Sequence, residues 1–343
     1  MPHIDLPSSA LAPGVSPVRV FYREAGAGRP IVILHGGWGC EIYPFDRQIA
    51  ALMVQHRLIV PDRTGYGGSE RLARQATDFH HRAAAETCAV IDALRLDRPV
   101  VWGHSDGAVI ALLMALAHPD RFSGLIVEAA HVFRNKPASR ECFDAMMRDP
   151  DGLGDRVTGV LAQEHGDTWR ELIRANGDAW LRIANDPSAA TADLYGGRIA
   201  ELRVPMLVIH GARDPRTEPG ELDALRAALG RTHGSTPTGT VGSVPAGQVG
   251  AASKTDVEAD PRVGPVQFAV LPEGGHSPHS ERATADEVTR LVRRFVSDLC
   301  PAPLDLPDPP ALPDPSTPPA RPDPPDQIVD PPSVAQGFSP AKS

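Results

Sequence analysis

The sequence predicts an α/β domain built on a mostly parallel sheet, with helices on both faces and a helical cap. Three observations lead to this fold class. Short apolar runs of strand type alternate with helical segments up to about residue 130. The alternation stops over residues 131–202, where only helical segments recur, and it then resumes. The strand-like runs are apolar at consecutive positions, which is typical of parallel strands that are buried on both faces.

Each element follows from the local pattern of apolar residues and from the Gly and Pro residues that bound it. The predicted strands are 18–22, 31–34, 58–60, 100–102, 125–127, 204–209 and 266–271. The predicted helices are 44–55, 83–94, 108–117, 138–148, 153–163, 168–184, 218–229 and 284–299. The cap, residues 131–202, follows a strand, so it should sit at the carboxyl edge of the sheet, where ligands bind in such folds.

The domain boundaries follow from shifts in composition. Residues 1–17 carry Pro and Ser without a period and are predicted to be a loose lead-in to a folded domain over 18–300. Residues 231–263 are rich in Gly, Ser, Thr, Val and Pro, which predicts a flexible insertion. This insertion follows a helix and precedes a strand, so it should emerge distal to the functional edge of the sheet. Residues 301–343 hold 15 of the 36 prolines and are predicted to be a disordered tail.

Composition limits the classes of partner. The net charge is −9, and no basic face for nucleic acid is evident. The four cysteines are far apart without metal-ligand spacing, which predicts reduced thiols and no metal site. The longest apolar run, 108–117, is half of what a bilayer requires, and residues 1–10 lack a basic segment followed by an apolar one. We therefore expect a cytoplasmic protein that does not bind membranes, and the oligomeric state is left open.

The stretch GHSDG, residues 103–107, carries the clearest chemical signal. It lies between a strand-type run and a long apolar helical run, so Ser105 is expected at a sharp strand-to-helix turn. Gly103 and Gly107 would let the strand and the helix approach each other. The turn would also aim the N–H of Asp106 at negative charge that develops where Ser105 attacks. The simpler alternative is an ordinary Gly-rich turn.

Three further strand ends carry residues that would complete a nucleophilic site. The HGGWG stretch offers the N–H of Gly37 as a second oxyanion donor, although a plain glycine turn would look similar. Asp214 follows a strand and could orient a histidine, or it could simply cap a turn before Pro215. His276 follows two glycines at the last strand end and is preferred over His279, which lies on or near the next helix.

Substrate contacts are harder to predict. Trp38 and His104 flank the expected oxyanion loop and nucleophile, and Phe133 and Trp180 of the cap could line a pocket. The cap aromatics could equally hold the cap together. The Asp106 carboxylate could pair with a cationic group on a substrate, or it could only complement the N-terminus of its helix.

The order of oxyanion loop, Ser105, Asp214 and His276, each after a predicted parallel strand, resembles the α/β-hydrolase superfamily over residues 18–299. The GHSDG turn and the helical cap are similar to those of relatives of valacyclovirase and proline iminopeptidase. The resemblance implies a carboxylesterase-like serine hydrolase (EC 3.1.1) that acts on a small acyl substrate, an ester or a small amide, without a cofactor. Dehalogenases and epoxide hydrolases of this fold have Asp at the position of Ser105.

Three functions remain open at the level of sequence. The first is hydrolysis of esters or small amides through an acyl-enzyme. The second is carbon–carbon bond hydrolysis or perhydrolysis on the same triad. The third is a non-catalytic member of the fold that binds a ligand, since a fold hosts many functions.

Overall fold

A computed structural model describes residues 2–72, 74–230 and 264–299 of the chain. The predictions for the insertion at 231–263 and for the tail at 301–343 therefore lie outside the described residues. Within this part of the chain, no helix is long and apolar enough to cross a membrane.

Eight strands of the described ranges form one sheet in the order β1-β2-β4-β3-β5-β6-β7-β8. The strands are β1 (His3–Leu6), β2 (Val18–Ala25), β3 (Arg29–Leu34), β4 (His56–Pro61), β5 (Val100–His104), β6 (Gly124–Glu128), β7 (Met206–Gly211) and β8 (Val266–Leu271). Strand β2 pairs antiparallel with β1 and with β4, and all other pairs are parallel. The predicted α/β-hydrolase type of sheet is therefore confirmed.

Helices cover both faces of the sheet. They are α1 (Asp46–Leu52), α2 (Phe79–Ala93), α3 (Asp106–Ala117), α4 (Arg140–Arg148), α5 (Asp155–His165), α6 (Trp169–Ala184), α7 (Glu221–Gly230) and α8 (Ala285–Asp298). A layer of helices is needed on each face of the sheet because successive side chains of a strand point to opposite faces, as in β5. Val101 packs in the apolar cluster that includes α2 and α3, whereas Val100 packs in the cluster that includes α8.

The N-terminal residues differ from the predicted loose lead-in. Strand β1 pairs with β2, and Leu6 is buried with Val18 and Val20 in a small apolar cluster. The hydroxyl of Ser9 donates a hydrogen bond to the buried carboxylate of Glu86. A strand of four residues is too short to show a period in the sequence, so its pairing with β2 could not be anticipated.

Helices α4, α5 and α6 lie within residues 131–202. A buried ion pair ties the start of this segment to the sheet domain: the Lys136 ammonium lies 2.6 Å from the Glu221 carboxylate, and the two side chains are 0 % and 1 % exposed. The same carboxylate accepts the backbone N–H groups of Val132 and Phe133. Glu221 therefore fixes the path of the chain from β6 into the cap helices.

Candidate active site

Ser105 occupies the turn between β5 and α3 in a strained conformation, with φ 54° and ψ −117°. A Cβ on Gly103 would lie 2.1 Å from the carbonyl oxygen of Gly107, and a Cβ on Gly107 would lie 2.2 Å from that of Leu34. Only glycine fits at both positions, so the glycines permit the close approach of strand and helix. Backbone strain of this kind costs about 1–3 kcal/mol and is found where function requires it.

The ends of three strands bring Ser105, Asp214 and His276 together. His276 Nε2 lies 3.1 Å from Ser105 Oγ, and His276 Nδ1 lies 3.0 Å and 3.1 Å from the two carboxylate oxygens of Asp214. Burial would raise the pKa of Asp214, but His276 and His210 hold it below its usual range. The ionised carboxylate fixes the proton of His276 on Nδ1, so Nε2 is free to accept the proton of Ser105.

His279, the alternative to His276, has partners of its own away from Ser105. Its Nδ1 lies 2.9 Å from the Glu128 carboxylate, and its Nε2 lies 3.0 Å from the carbonyl oxygen of Tyr43. Its ring stacks on Phe45 with 3.8 Å between the ring centroids. The side chain in contact with Ser105 is therefore that of His276 and not that of His279.

The Asp106 carboxylate is buried and fully engaged. It accepts hydrogen bonds from Trp180 Nε1 at 3.1 Å and from Asn176 Nδ2 at 3.3 Å, and it lies 3.2 Å from His80 Nε2. Burial would raise the pKa of Asp106, but the His80 hydrogen bond and the charge of Arg63 keep it below its usual range. Trp180 and Asn176 belong to α6, so the ionised carboxylate joins the cap to α3, the helix that follows Ser105.

The HGGWG loop passes directly beside Ser105. A Cβ on Gly36 would lie 3.3 Å from Ser105 Cβ, and a Cβ on Gly37 would lie 2.9 Å from the Asp106 carboxylate. The phenol of Tyr66 donates a hydrogen bond of 3.1 Å to the carbonyl oxygen of Gly37. The loop therefore packs against Ser105, and a side chain at position 37 would collide with the Asp106 carboxylate.

Sequence reasoning missed two residues that hold this loop. Glu164, near the end of α5, accepts the backbone N–H groups of Cys40 at 2.7 Å and Glu41 at 3.0 Å. The next residue, His165, lies with Nε2 3.0 Å from the carbonyl oxygen of Trp38. Burial, together with neighbouring carboxylates, raises the pKa of Glu164 to about 7. No motif marks this pair, because its partners lie more than a hundred positions away in sequence.

His131 was also missed. Its Nε2 lies 3.5 Å from Ser105 Oγ, and its ring stacks on that of His276 with centroids 5.8 Å apart and planes at 16°. Like Asp214, it follows the end of a parallel strand, here β6. The rule that strand ends converge at one edge of the sheet could therefore have identified it.

The predicted substrate contacts lie in buried positions. His104 Nε2 is 3.0 Å from the carbonyl oxygen of His276 and 3.0 Å from Ser277 Oγ, so His104 supports the loop that carries His276. This placement differs from a substrate contact. The reason is that His104 is the last residue of β5 and is 1 % exposed, with its ring in contact with the loop of His276 and Ser277.

The three predicted aromatic contacts are likewise engaged with protein. Trp38 is 2 % exposed, and the guanidinium of Arg216 lies 4.9 Å from its ring centroid. Trp180 donates to Asp106 as described above and stacks on Phe143 at 5.4 Å. Phe133 is half-buried, and its backbone N–H donates to Glu221. For Trp38 and Trp180 these contacts favour packing roles over direct substrate binding.

One group of side chains in the described ranges has donors that could approach a metal ion. The ligand atoms of Cys40, Asp62 and Glu164 lie within 4.8 Å of one another. However, the guanidinium of Arg23 lies 2.8 Å from Asp62, and Glu164 already accepts two backbone N–H groups. The guanidinium of Arg23 thus already supplies a positive charge to this cluster. The arrangement therefore fits a network of charged side chains and not a metal site.

The known proteins to which this chain is similar include hydrolases of several kinds. A family profile described as "alpha/beta hydrolase fold" matches residues 29–187. Epoxide hydrolase A of Mycobacterium tuberculosis is 32 % identical over 194 residues, which are 52 % of this chain and 57 % of that protein. The pimeloyl-[acyl-carrier protein] methyl ester esterase of Pectobacterium carotovorum is 28 % identical over 232 residues, 60 % of this chain and 85 % of that protein.

The solved structures agree on the fold. A thermophilic esterase from Thermogutta terrifontis superposes with a TM-score of 0.61 at 19 % identity, covering 87 % of this chain and 99 % of that chain. The chain thus spans nearly all of the esterase but little more than half of the epoxide hydrolase. From its sheet, its sharp turn at Ser105 and these comparisons, the chain has the α/β-hydrolase fold, and its residues 29–187 match the family of that description.

Proposed function

We propose that the protein is a serine hydrolase, carboxylesterase-like, that cleaves carboxylic esters or small amides through an acyl-enzyme on Ser105. The observation that carries the proposal is the continuous chain of contacts from Ser105 Oγ to His276 Nε2 at 3.1 Å and from His276 Nδ1 to Asp214 at 3.0 Å. A nucleophile, a base and a group that orients the base are the parts that acyl transfer requires.

The reaction proceeds in two halves. In the first, His276 Nε2 takes the proton of Ser105 as Oγ bonds to the carbonyl carbon, and the proton then passes to the departing alcohol or amine. The N–H groups of Gly37 and Asp106 hold the oxyanion. The N–H of Asp106 has no partner within its own helix, since Asp106 is the first residue of α3. Each such donor is worth about 3–4 kcal/mol in the transition state. In the second half, water replaces the alcohol and releases the acid.

The choice of an ester or a small amide rests on the nucleophile and on its enclosure. A serine alkoxide forms an acyl ester with a carbonyl substrate, and the epoxide hydrolases of this superfamily carry Asp at this position, as noted above. Ser105 is only 6 % exposed beneath the cap, which favours a small acyl group. The names of two similar proteins, a methyl ester esterase and a thermophilic esterase, agree with this choice.

Turnover of a series of p-nitrophenyl esters of increasing acyl length tests the proposal. Ser105→Ala and His276→Ala should each lower kcat by about a thousandfold or more, and the double variant should lose little more, because triad members act as a unit. Ser188→Ala, at an exposed serine of the cap, is the matched control and should keep full turnover. Ester turnover that survives in Ser105→Ala would overturn the proposal.

A further inference from the structure

One polar side chain at the nucleophile has no part in the triad. His131 comes from the segment after β6, and its Nε2 lies 3.5 Å from Ser105 Oγ, the oxygen that also contacts His276 Nε2 at 3.1 Å. We propose, building on the serine hydrolase function above, that His131 is a second catalytic histidine. Its Nε2–H donates to Ser105 Oγ and stabilises the negative charge that this oxygen carries when the acyl-enzyme is hydrolysed.

The position of the protons follows from the contacts. Asp214 holds the proton of His276 on Nδ1, so the single proton of the Ser105 hydroxyl points to His276 Nε2. Ser105 Oγ then has only lone pairs left to offer to His131. A contact between Nε2 and those lone pairs is attractive only if His131 carries its proton on Nε2. Hydrogen bonds at such sites are often long in the free enzyme and shorten in the transition state.

The surroundings keep His131 neutral and fixed. Burial, the ammonium of Lys136 and the neighbouring His276 lower the pKa of His131 well below its ordinary value, against the opposing charges of Asp214 and Asp106. The ring contacts that of His276, with centroids 5.8 Å apart, and the indole of Trp180, whose centroid is 5.5 Å away at 81°.

The backbone of His131 is also anchored. Its carbonyl oxygen accepts a hydrogen bond of 2.6 Å from the hydroxyl of Tyr195. A neutral donor in a fixed position costs no reorganisation when charge appears in front of it.

The second half-reaction benefits most from this donor. In the acyl-enzyme, Ser105 Oγ is an ester oxygen and a weak acceptor. Water adds to the carbonyl carbon, the bond from that carbon to Oγ breaks, and His276 returns a proton to Oγ. While that bond breaks, Oγ becomes strongly basic, so the hydrogen bond from His131 strengthens between ground state and transition state. His131 keeps its own proton throughout.

Stopped-flow kinetics with p-nitrophenyl acetate separate the two halves. In His131→Phe, which keeps a flat ring but no donor, deacylation should slow about tenfold, equivalent to about 1.4 kcal/mol. Acylation should change by less than about threefold. A burst of p-nitrophenol equal to the number of active sites should therefore appear. His131→Gln, which supplies an N–H donor at a similar reach, should restore deacylation to within about threefold of wild type.

The controls separate this inference from the proposed function. His118→Phe makes the same substitution at an exposed histidine and should behave as wild type. Rates are expressed per active site titrated with a fluorophosphonate, so unfolded protein does not contribute to them. His131→Leu provides a second variant without a hydrogen-bond donor. A wild type with neither burst nor turnover would refute the hydrolase function itself. An active wild type with unchanged deacylation in His131→Phe, or an equal loss in both halves that Gln does not restore, would overturn the role of His131.

Discussion

Replacing Glu164 by Gln is the sharpest perturbation of the loop that carries the proposed oxyanion donor. The two carboxylate oxygens of Glu164 accept the backbone N–H groups of Cys40 and Glu41 at 2.7 Å and 3.0 Å. A glutamine side chain offers one acceptor and one donor, so one of the two N–H groups would face another donor. The loop from Gly37 to Glu41 would lose one of its anchors to α5.

The size of the effect follows from that lost acceptor. A buried N–H without a partner costs about 1–3 kcal/mol. If the loop relaxes to relieve this cost, the oxyanion donor moves from its position, and kcat/KM should fall about tenfold, which corresponds to about 1.4 kcal/mol. Because the loop does not include Ser105, the contacts from Ser105 to His276 and from His276 to Asp214 should persist.

The dependence on pH gives the effect its signature. Burial raises the pKa of Glu164 to about 7, with Asp62 and Glu41 contributing in the same direction and two backbone hydrogen bonds opposing. Below this pH the wild-type carboxyl is protonated and, like glutamine, offers one acceptor fewer. The ratio of kcat/KM for wild type to that for Glu164→Gln should therefore rise as the pH passes from about 6 to about 8.

Ester hydrolysis measured for both proteins across this range checks the expectation. Taking the ratio removes any dependence on pH that the two proteins share. Arg23, Cys40 and His165 also face Glu164, and they are unchanged in the variant. Glu171→Gln, at an exposed glutamate of α6, is the matched control and should follow wild type at every pH. A ratio that stays constant with pH would refute the link between this carboxylate and the oxyanion loop.

Four other outcomes are expected. Ser105→Gly should unfold at a higher temperature than Ser105→Ala by calorimetry, since glycine relieves about 1–3 kcal/mol of strain at φ 54°; a lower value for Gly would contradict the strain. Lys136→Met leaves the Glu221 carboxylate buried without its cation, so it should lower the free energy of unfolding, measured in urea, by about 3–5 kcal/mol. A decrease of less than about 1 kcal/mol would contradict a stabilising role for the ion pair. Asp106→Asn should lower turnover of amino-acid esters and unsubstituted esters equally, because the carboxylate already binds Trp180; a selective loss for amino-acid esters would restore the cationic-substrate hypothesis. Because burial raises the pKa of Glu164, this group stabilises the fold fully below pH 4.5, its ordinary pKa, and the stabilisation is lost as the pH rises to about 7. Over this range the free energy of unfolding of Glu164→Gln, measured in urea, should therefore increase relative to that of wild type. Parallel curves for the two proteins would contradict the raised pKa.

The features that the sequence could predict are those whose signal is local. Consecutive apolar residues such as Ile31 and Val32 indicate a strand buried on both faces, and the two glycines around Ser105 indicate the sharp turn. Chain order then places Asp214 and His276 at the same edge of the sheet, because parallel strands end together. The α/β fold and the meeting of these three side chains follow from such short-range patterns.

The features that the sequence could not predict depend on distant pairs. Glu164 binds the backbone at Cys40, and nothing in the sequence around position 164 identifies it as a partner of the glycine loop. The carboxylate of Asp106 accepts hydrogen bonds from two cap residues, Asn176 and Trp180. These distant partners favour a structural role over substrate binding, and the local sequence does not identify them. Strand β1 was missed because its four residues gain their order from pairing with β2.

Locating a covalent adduct tests the account most directly. The intact protein is treated with a fluorophosphonate, its mass is measured, and the modified peptide is sequenced by tandem mass spectrometry. We expect one adduct per chain, on Ser105, absent from Ser105→Ala and formed at least about a thousandfold more slowly in His276→Ala. An adduct on a different residue, or an unchanged rate of modification in His276→Ala, would contradict the assignment of Ser105 as the nucleophile that His276 activates.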